Sequence, residues 1–202
     1  MSQSTQNSIL TAARRLFLER GYSGASVDVI AATAGTTKQT VYRYYLDKRQ
    51  LFTAVIEDVM GGPWSPDAAM DVQTVADLRD SLFSLAAHIN SVAAEPDYIR
   101  LLRVVIAETI TEPMLGKVFE RGVTARALQY LNKLFTAAKK QELVTVESPQ
   151  LAAQFFIGGF VTRIFLQGLL MQSSASYMRK QTRPELSQYV DEFMHYIANG
   201  CD

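Results

Sequence analysis

Two short helix-forming runs separated by Gly35 occupy residues Ser26 to Phe52, and they limit the fold more than any other stretch. Ser26 suits the N-cap of the first run, because its side-chain oxygen can accept from a free backbone N–H. Val29, Ile30 and Ala34 are the expected inward positions. Gly35 ends that run and permits positive φ in a sharp turn. Thr36 or Thr37 caps the second run; with Thr36 as the cap, Gln39 falls three residues on and completes a capping box. Val41 and Tyr45 anchor the second helix, and Lys38, Gln39, Thr40, Tyr42, Arg43 and Tyr44 include its solvent-facing positions. Asp47 caps a third helix that continues beyond Phe52. This is the layout of a helix-turn-helix, in which the second helix lies in the major groove of DNA.

The charge distribution agrees. Lys+Arg and Asp+Glu both number 20, so the formal net charge is zero. Residues 1–52 carry seven Lys/Arg against three acids, a net of +4, and the remainder carries −4. A basic quarter on an acidic body fits a small nucleic-acid module joined to something else. Cys201 is the single cysteine, which excludes an intrachain disulfide or a cysteine metal cluster. The polar start, Ser2 to Ser8, has no apolar signal core. Arg163 interrupts the most apolar stretch, Leu151 to Met171, and argues against a membrane span. A soluble, cytoplasmic protein is the expectation.

Helical spacing continues along the chain. A first helix is expected over about Gln6–Arg20, with Ile9, Ala13, Leu16 and Phe17 on one stripe and Gly21 as a left-handed stop. The helix after Asp47 should run to Met60 and stop at Gly61-Gly62-Pro63. Further helices are expected over about Val72–Ala93, Asp97–Thr109, Thr111–Gly122 with Thr111 as cap, Val123–Gln141, Pro149–Gln172 and Pro184–Ala198. No alternating pattern of useful length occurs. The expected fold is all-α: a helix-turn-helix domain over 1–52, with the motif at about 26–45, and a larger helical ligand-binding and dimerisation domain over 53–202.

From Ala12 to Leu51 the chain resembles the TetR family of tetracycline-repressor-like regulators. The resemblance is carried by Ala13, Phe17, Gly21 and Tyr22; then Ser26, Val27, Ile30, Ala31, Ala34 and Gly35; then Tyr42, Tyr44, Lys48 and Leu51. Thr36-Thr37 stand where Val-Ser is usual, Tyr45 where Phe is usual, and Gln39 where a small residue is frequent. The rest of the chain looks most like the AefR-like branch. The resemblance implies a homodimer that binds a pseudo-palindromic double-stranded DNA operator. It also implies a small-molecule inducer pocket in the C-terminal domain, with ligand entry moving the fourth helix and separating the two reading heads.

On this reading Ser26, Thr37, Thr40, Tyr42, Tyr44 and Lys48 grip phosphates, which fixes register without reading sequence. Lys38, Gln39 and Arg43 are long enough to reach base edges, where Gln suits adenine and Lys or Arg suits guanine. Gln39 has two roles open to it, base contact or the capping box. Lys48, in the first turn of a helix, is disfavoured by the helix dipole unless an anion binds there. Asp28 would repel phosphate and instead favours its helix N-terminus.

Met60, Trp64, Phe83, Met114, Phe119, Tyr130 and Phe135 lie on segments that line the inducer cavity in the resembled family. Ordinary core is the competing role for each. His88, a lone histidine on an apolar helix, is either a hydrogen-bonded core residue or a ligand contact. Phe155, Phe156, Gly158 and Gly159, with Tyr189 and Phe193 of the last helix, are the expected dimer interface, since adjacent glycines in a helix suit close helix approach. The function expected is a ligand-responsive repressor released from its operator by a lipophilic inducer. The alternative is an all-α ligand-binding protein or enzyme, which the absence of HExxH, GxSxG or a Gly-rich phosphate loop disfavours. Glu108 and Glu112 could share a metal on one helix face, with solvent exposure as the other reading. No cofactor, metal or catalytic residue is expected.

Overall fold

A computed structural model describes residues 2–60, 72–120, 125–170 and 180–199. All regular structure among them is helical. In order the helices are α1 (Ser2–Gly24), α2 (Val27–Thr33), α3 (Lys38–Tyr44), α4 (Lys48–Val59), α5 (Val75–Ala93), α6 (Pro96–Glu108), α7 (Pro113–Phe119), α8 (Ala125–Lys140), α9 (Pro149–Arg163) and α10 (Arg183–Asn199). A π-helical segment, Ile164–Leu170, continues α9. The chain divides into two compact units: Met1–Pro63 with Asp97–Val123, and Trp64–Pro96 with Thr124–Asp202.

In the first unit, Ile9, Ala13, Leu16 and Phe17 form the buried stripe of α1 and meet Leu51, Phe52, Val55, Ile56 and Val59 of α4. Phe17 and Phe52 are fully buried and pack edge to face at 4.9 Å, with Tyr22 5.2 Å from Phe52. Arg14 joins three helices: its guanidinium donates to Asp97 of α6 at 2.7 Å and to Asp58 of α4 at 3.1 Å. Asp97 also accepts from Arg100 at 3.1 Å.

Gly21 interrupts α1 with φ 74 and ψ 175. This is not the left-handed helical stop expected from sequence, which needs ψ near +47°. It lies instead in a region of backbone space open essentially to glycine alone.

In the second unit, α5 packs on α10 and α8 packs on α9. Leu78, Leu82 and Leu85 of α5 join Leu131, Leu134 and Phe135 of α8, Phe156 and Phe160 of α9, and Val190 and Ile197 of α10 in one core. Thr74 and Asp77 form a reciprocal capping box at the start of α5. Arg79 of α5 grips Asp191 of α10 through Nε at 2.6 Å and Nη2 at 3.0 Å. Asn90, 1% exposed, is the buried polar residue of the described core. Its amide donates to the Gln181 carbonyl and accepts from the Gln181 N–H, both at 2.9 Å, and Arg163 donates to it at 3.2 Å.

The stretch Pro149–Leu170 is long and apolar enough to cross a membrane by length and composition, and 33% of an apolar 18-residue window within it is buried in the protein. Ala152, Ala153, Phe156 and Phe160 form its inward side, while Leu151, Phe155, Val161, Phe165, Leu166 and Leu170 are exposed. Gly159 is where Tyr189 of the same chain crosses α9: a Cβ there would lie 2.6 Å from the Tyr189 hydroxyl. Tyr189 also donates to the Phe156 carbonyl and packs on Phe160 at 4.8 Å.

A Cβ at Gly158 meets nothing within 4 Å. The two glycines should therefore respond oppositely to alanine. Gly158→Ala should stabilise the protomer by about 0.5–1 kcal/mol through helix propensity. Gly159→Ala should cost a net ~1–2 kcal/mol, because overpacking outweighs the same gain. Urea denaturation of the two variants checks the sign of each.

Candidate nucleic-acid interface

Helices α2 and α3 form the helix-turn-helix. The buried side of α2 is Val27, Ile30 and Ala31, at i, i+3 and i+4, rather than the expected Val29 and Ala34. Ser26 caps α2, its hydroxyl accepting from the Val29 N–H at 3.2 Å. Gly35 turns the chain with φ 67. Thr37, extended at φ −105 and ψ 156, caps α3 and accepts from the Thr40 N–H at 3.2 Å. This settles the choice of cap against Thr36, so the capping box through Gln39 does not form. Gln39 falls at the second helical position and its side chain is exposed.

Val41, 1% exposed, and Tyr45, 6% exposed, pin α3 to the unit. Thr37, Lys38, Gln39 and Arg43 are exposed and Thr40 and Tyr44 half-buried, while Tyr42 projects at 41%. Thr40 and Thr37 share a hydroxyl–hydroxyl hydrogen bond at 3.0 Å. The Arg43 guanidinium lies 5.3 Å from the Tyr44 ring centroid. Lys38 pairs with Asp28 of α2 at 2.9 Å, a contact across the turn that sequence spacing did not suggest.

Asp47 caps α4 by accepting from the Gln50 N–H at 2.8 Å, and Gln50 accepts in return from the Leu46 N–H at 2.9 Å. Lys48 opens α4 with its ammonium 4.5 Å from the Tyr22 ring centroid and 3.4 Å from the Ser23 carbonyl. Burial lowers its pKa, against the opposing influence of Glu108 and Glu112.

Glu108, the last residue of α6, was missed as a structural partner of this head. One carboxylate oxygen accepts from the Ser23 N–H at 3.0 Å and the other from the Ser23 hydroxyl at 2.5 Å. A Cβ on Gly21 would sit 2.7 Å from the first of these oxygens. Glu108 and Glu112 do not share a helix face, because α6 ends at Glu108 and Glu112 precedes α7. The expected cap of α7, Thr111, donates instead to the Glu108 carbonyl at 3.2 Å, and Glu112 occupies the cap position without a side-chain hydrogen bond. No cluster of metal-ligating side chains occurs among the described residues.

Burial pushes the Glu108 carboxyl up, but hydrogen bonds from Ser23 and from the Tyr22 backbone, with Lys48 nearby, outweigh it and hold the pKa below the ordinary 4.5. A depressed folded-state pKa contributes stability above the unfolded value that is lost as pH falls through the folded one. The stability of the protein should therefore decline below about pH 4.5, less steeply in Glu108→Gln. Denaturant titrations at pH 7 and at pH 3.5 measure the difference.

The residues expected at an inducer pocket differ in burial. Met60 is buried and Met114 exposed, both in the first unit. Tyr130 and Phe135 are buried in the core of the second unit, and Phe83 packs against it with Arg183 5.3 Å from its ring centroid. His88 is half-buried, and burial lowers its pKa. Trp64 and the side chain of Phe119 lie outside the described residues. A groove of ≈ 390 Å³ in the second unit contains none of them; Ser148, Leu151, Phe155 and Tyr196 are among its lining. Of the expected interface residues, Phe155 is 59% exposed, whereas Phe156 is fully buried in its own protomer and Phe193 packs against the core.

A helix-turn-helix with an exposed polar reading helix, on a basic N-terminal segment of a larger all-α chain, defines a DNA-binding regulator. Residues 9–55 match the bacterial regulatory proteins of the tetR family, and residues 80–196 match the AefR-like transcriptional repressor C-terminal domain. The chain belongs to the TetR family and is a transcriptional repressor of that kind. It is 25% identical over 187 residues to the HTH-type transcriptional repressor NicS of Pseudomonas putida, covering 92% of this chain and 80% of NicS. Its fold is shared by the flavonoid-responsive regulator FrrA, with a TM-score of 0.69 at 22% identity over 100% of both chains. It is also shared by NalD of Pseudomonas aeruginosa, the secondary repressor of the MexAB-OprM multidrug efflux pump, with a TM-score of 0.65 at 20% identity over 100% of both chains.

Proposed function

We propose that the protein is a cytoplasmic homodimer that holds a pseudo-palindromic operator with its two α3 helices and releases it when a small lipophilic inducer binds the C-terminal domain. The observation that carries this reading is α3 itself: Val41 and Tyr45 are buried, and Lys38, Gln39, Tyr42 and Arg43 are exposed. Ser26, Thr37, Thr40, Tyr42, Tyr44 and Lys48 are the phosphate grips, and Lys38, Gln39 and Arg43 reach the bases. Ser26 and Thr37 already cap helices and the Thr40 hydroxyl is bonded to that of Thr37, so all three hold phosphates only with their remaining hydrogen-bonding capacity.

The dimer is supported by the exposed apolar side of α9 and its π-helical extension, where Phe155, Val161, Phe165, Leu166 and Leu170 are each at least half exposed. A contiguous apolar face of this length marks an interaction surface. Phe155, with Tyr196 6.3 Å from its ring, is its core; Phe156, Tyr189 and Phe193 support it from inside the protomer, and Gly158 and Gly159 lie on the same helix. A two-fold dimer carries two heads, the number that a pseudo-palindromic operator with two half-sites takes. The flavonoid named for FrrA fits a lipophilic inducer. Release follows from linkage: an inducer favouring mis-spaced heads lowers DNA affinity, and DNA lowers inducer affinity by the same factor. The reading needs no catalytic group or cofactor.

A gel shift with the DNA upstream of the protein's own gene tests the reading. Wild type should bind at moderate salt, and Tyr42→Ala should bind at least about tenfold more weakly, since each head loses a hydrogen bond to a charged group. Equal binding by the two proteins would sink the proposal. A thermal-shift screen of lipophilic compounds, with and without operator, then reports the inducer class and its coupling to DNA.

A further inference from the structure

Three acids lie among residues 1–52, and one of them, Asp28 of α2, contacts the reading helix. The Asp28 side chain is 67% exposed and lies 2.9 Å from the Lys38 ammonium, itself 49% exposed. Exposed ion pairs add little to stability. A carboxylate facing DNA also weakens the sequence-independent attraction that every phosphate grip supplies. The first turn of α2 accounts for an acid at Asp28, but neither that nor non-specific affinity accounts for its direct contact with Lys38 of the reading helix. Lys38 is the first residue of α3, and in helix-turn-helix docking the N-terminal residues of the reading helix meet base edges.

The geometry points to the Asp28–Lys38 pair acting as one reader of a G·C base pair, with the ammonium on the guanine edge and the carboxylate accepting from the cytosine amino group. It rests on the major-groove docking of α3 proposed above. Across the major groove a G·C pair presents the N7 and O6 acceptors of guanine and then the N4 donor of cytosine. O6 and N4 are hydrogen-bonded to each other, so they sit at ordinary N–H···O spacing, about 2.9 Å. The ammonium and carboxylate are held at the same spacing, 2.9 Å. The pair can lie along the base pair with its own contact intact. Lys38 has donors for both N7 and O6, and Asp28 accepts the second N4 hydrogen.

An A·T pair offers the same spacing between adenine N6 and thymine O4, but it lacks a second acceptor beside O4 for Lys38. A carboxylate on adenine N6 would lie beside the N7 acceptor, and an ammonium on thymine O4 would lie beside the methyl group. Asp28 is thereby a specificity-determining residue, contributing through rejection as well as attraction.

The test is selection of binding sites from a random-sequence duplex library by full-length wild type and Asp28→Ala, followed by affinity measurements on the selected site with each base pair replaced in turn. Thermal melts confirm that the variant folds; the substituted side chain is exposed, so a small change is expected. Wild type should require G·C at one position per half-site and lose roughly 5- to 100-fold on its replacement. Asp28→Ala should flatten that one preference to less than about threefold, keep the others, and bind non-specific DNA at least as tightly. A uniform change at all positions, with the G·C preference kept, would overturn the assignment and leave Asp28 as a neighbouring charge. Failure of wild type to select any sequence would instead bring down the regulator reading, and the pair with it.

Discussion

Lys48→Ala is expected to weaken operator binding by about 100-fold or more at moderate salt. A hydrogen bond to a charged group contributes about 1.5–3 kcal/mol, and a dimer makes each contact twice. Lys48 is well placed for this role, because it is held before DNA arrives. Its ammonium lies over the Tyr22 ring and against the Ser23 carbonyl, in the first turn of α4. From there the ammonium can meet a phosphate at the start of α4, beside the Asp47 cap. Counterion release supplies an independent readout: loss of one phosphate contact per head should flatten the salt slope by roughly 2. A variant that binds within threefold of wild type and keeps its slope would show that Lys48 serves only to hold Tyr22.

Gly21→Ala should destabilise the protein by about 3 kcal/mol, enough to lower Tm by roughly 6–12 °C in a chain of this size. Two costs add. Backbone strain at φ 74 and ψ 175 is worth about 1–3 kcal/mol for a residue other than glycine. The new Cβ would also press on the Glu108 carboxylate from 2.7 Å and dislodge it from Ser23. Losing those hydrogen bonds costs a further ~1–2 kcal/mol. Gly24 and Gly35 are internal comparisons. Gly35 has φ 67 but open space around it, so only backbone strain applies, whereas the nearest atom to a Cβ at Gly24 is at an ordinary 3.4 Å. The expected order of damage is Gly21, then Gly35, then Gly24, read from scanning calorimetry. Equal effects at Gly21 and Gly35 would remove Glu108 from the account.

The features legible in the sequence are those set by neighbours on one helix. The i, i+4 pair Val41 and Tyr45, the turn at Gly35 and the cap at Asp47 all follow from local rules, and so does the all-α class. Where two adjacent residues satisfied the same local rule, sequence did not decide. Thr36 and Thr37 can both cap, and the backbone selects Thr37, which frees Gln39 from the capping box. Contacts made by folding back left no periodic signal. Ser23 and Glu108 are 85 residues apart, and Lys38 reaches Asp28 across a turn. The glycine pair announced a close approach in α9 without naming its occupant, which at Gly159 is Tyr189 of the same protomer. Aromatic residues suited to a pocket and those suited to a core are the same residues, so Tyr130 and Phe135 carried no distinguishing mark until their burial was known.

Helix α6 is fastened to α1 at two points, through Asp97 to Arg14 and through Glu108 to Ser23. Eleven helical steps separate Asp97 from Glu108, a span of about 16 Å at 1.5 Å per residue. Yet α6 falls inside the stretch matched to the C-terminal domain, residues 80–196. The consequence is for recombination. A hybrid regulator spliced at the end of α4, carrying this head onto a foreign body, would strip Arg14 of Asp97 and leave the turn at Gly21 without its carboxylate. The transplantable piece is discontinuous in the chain, and a working graft must carry α6 along with α1 to α4.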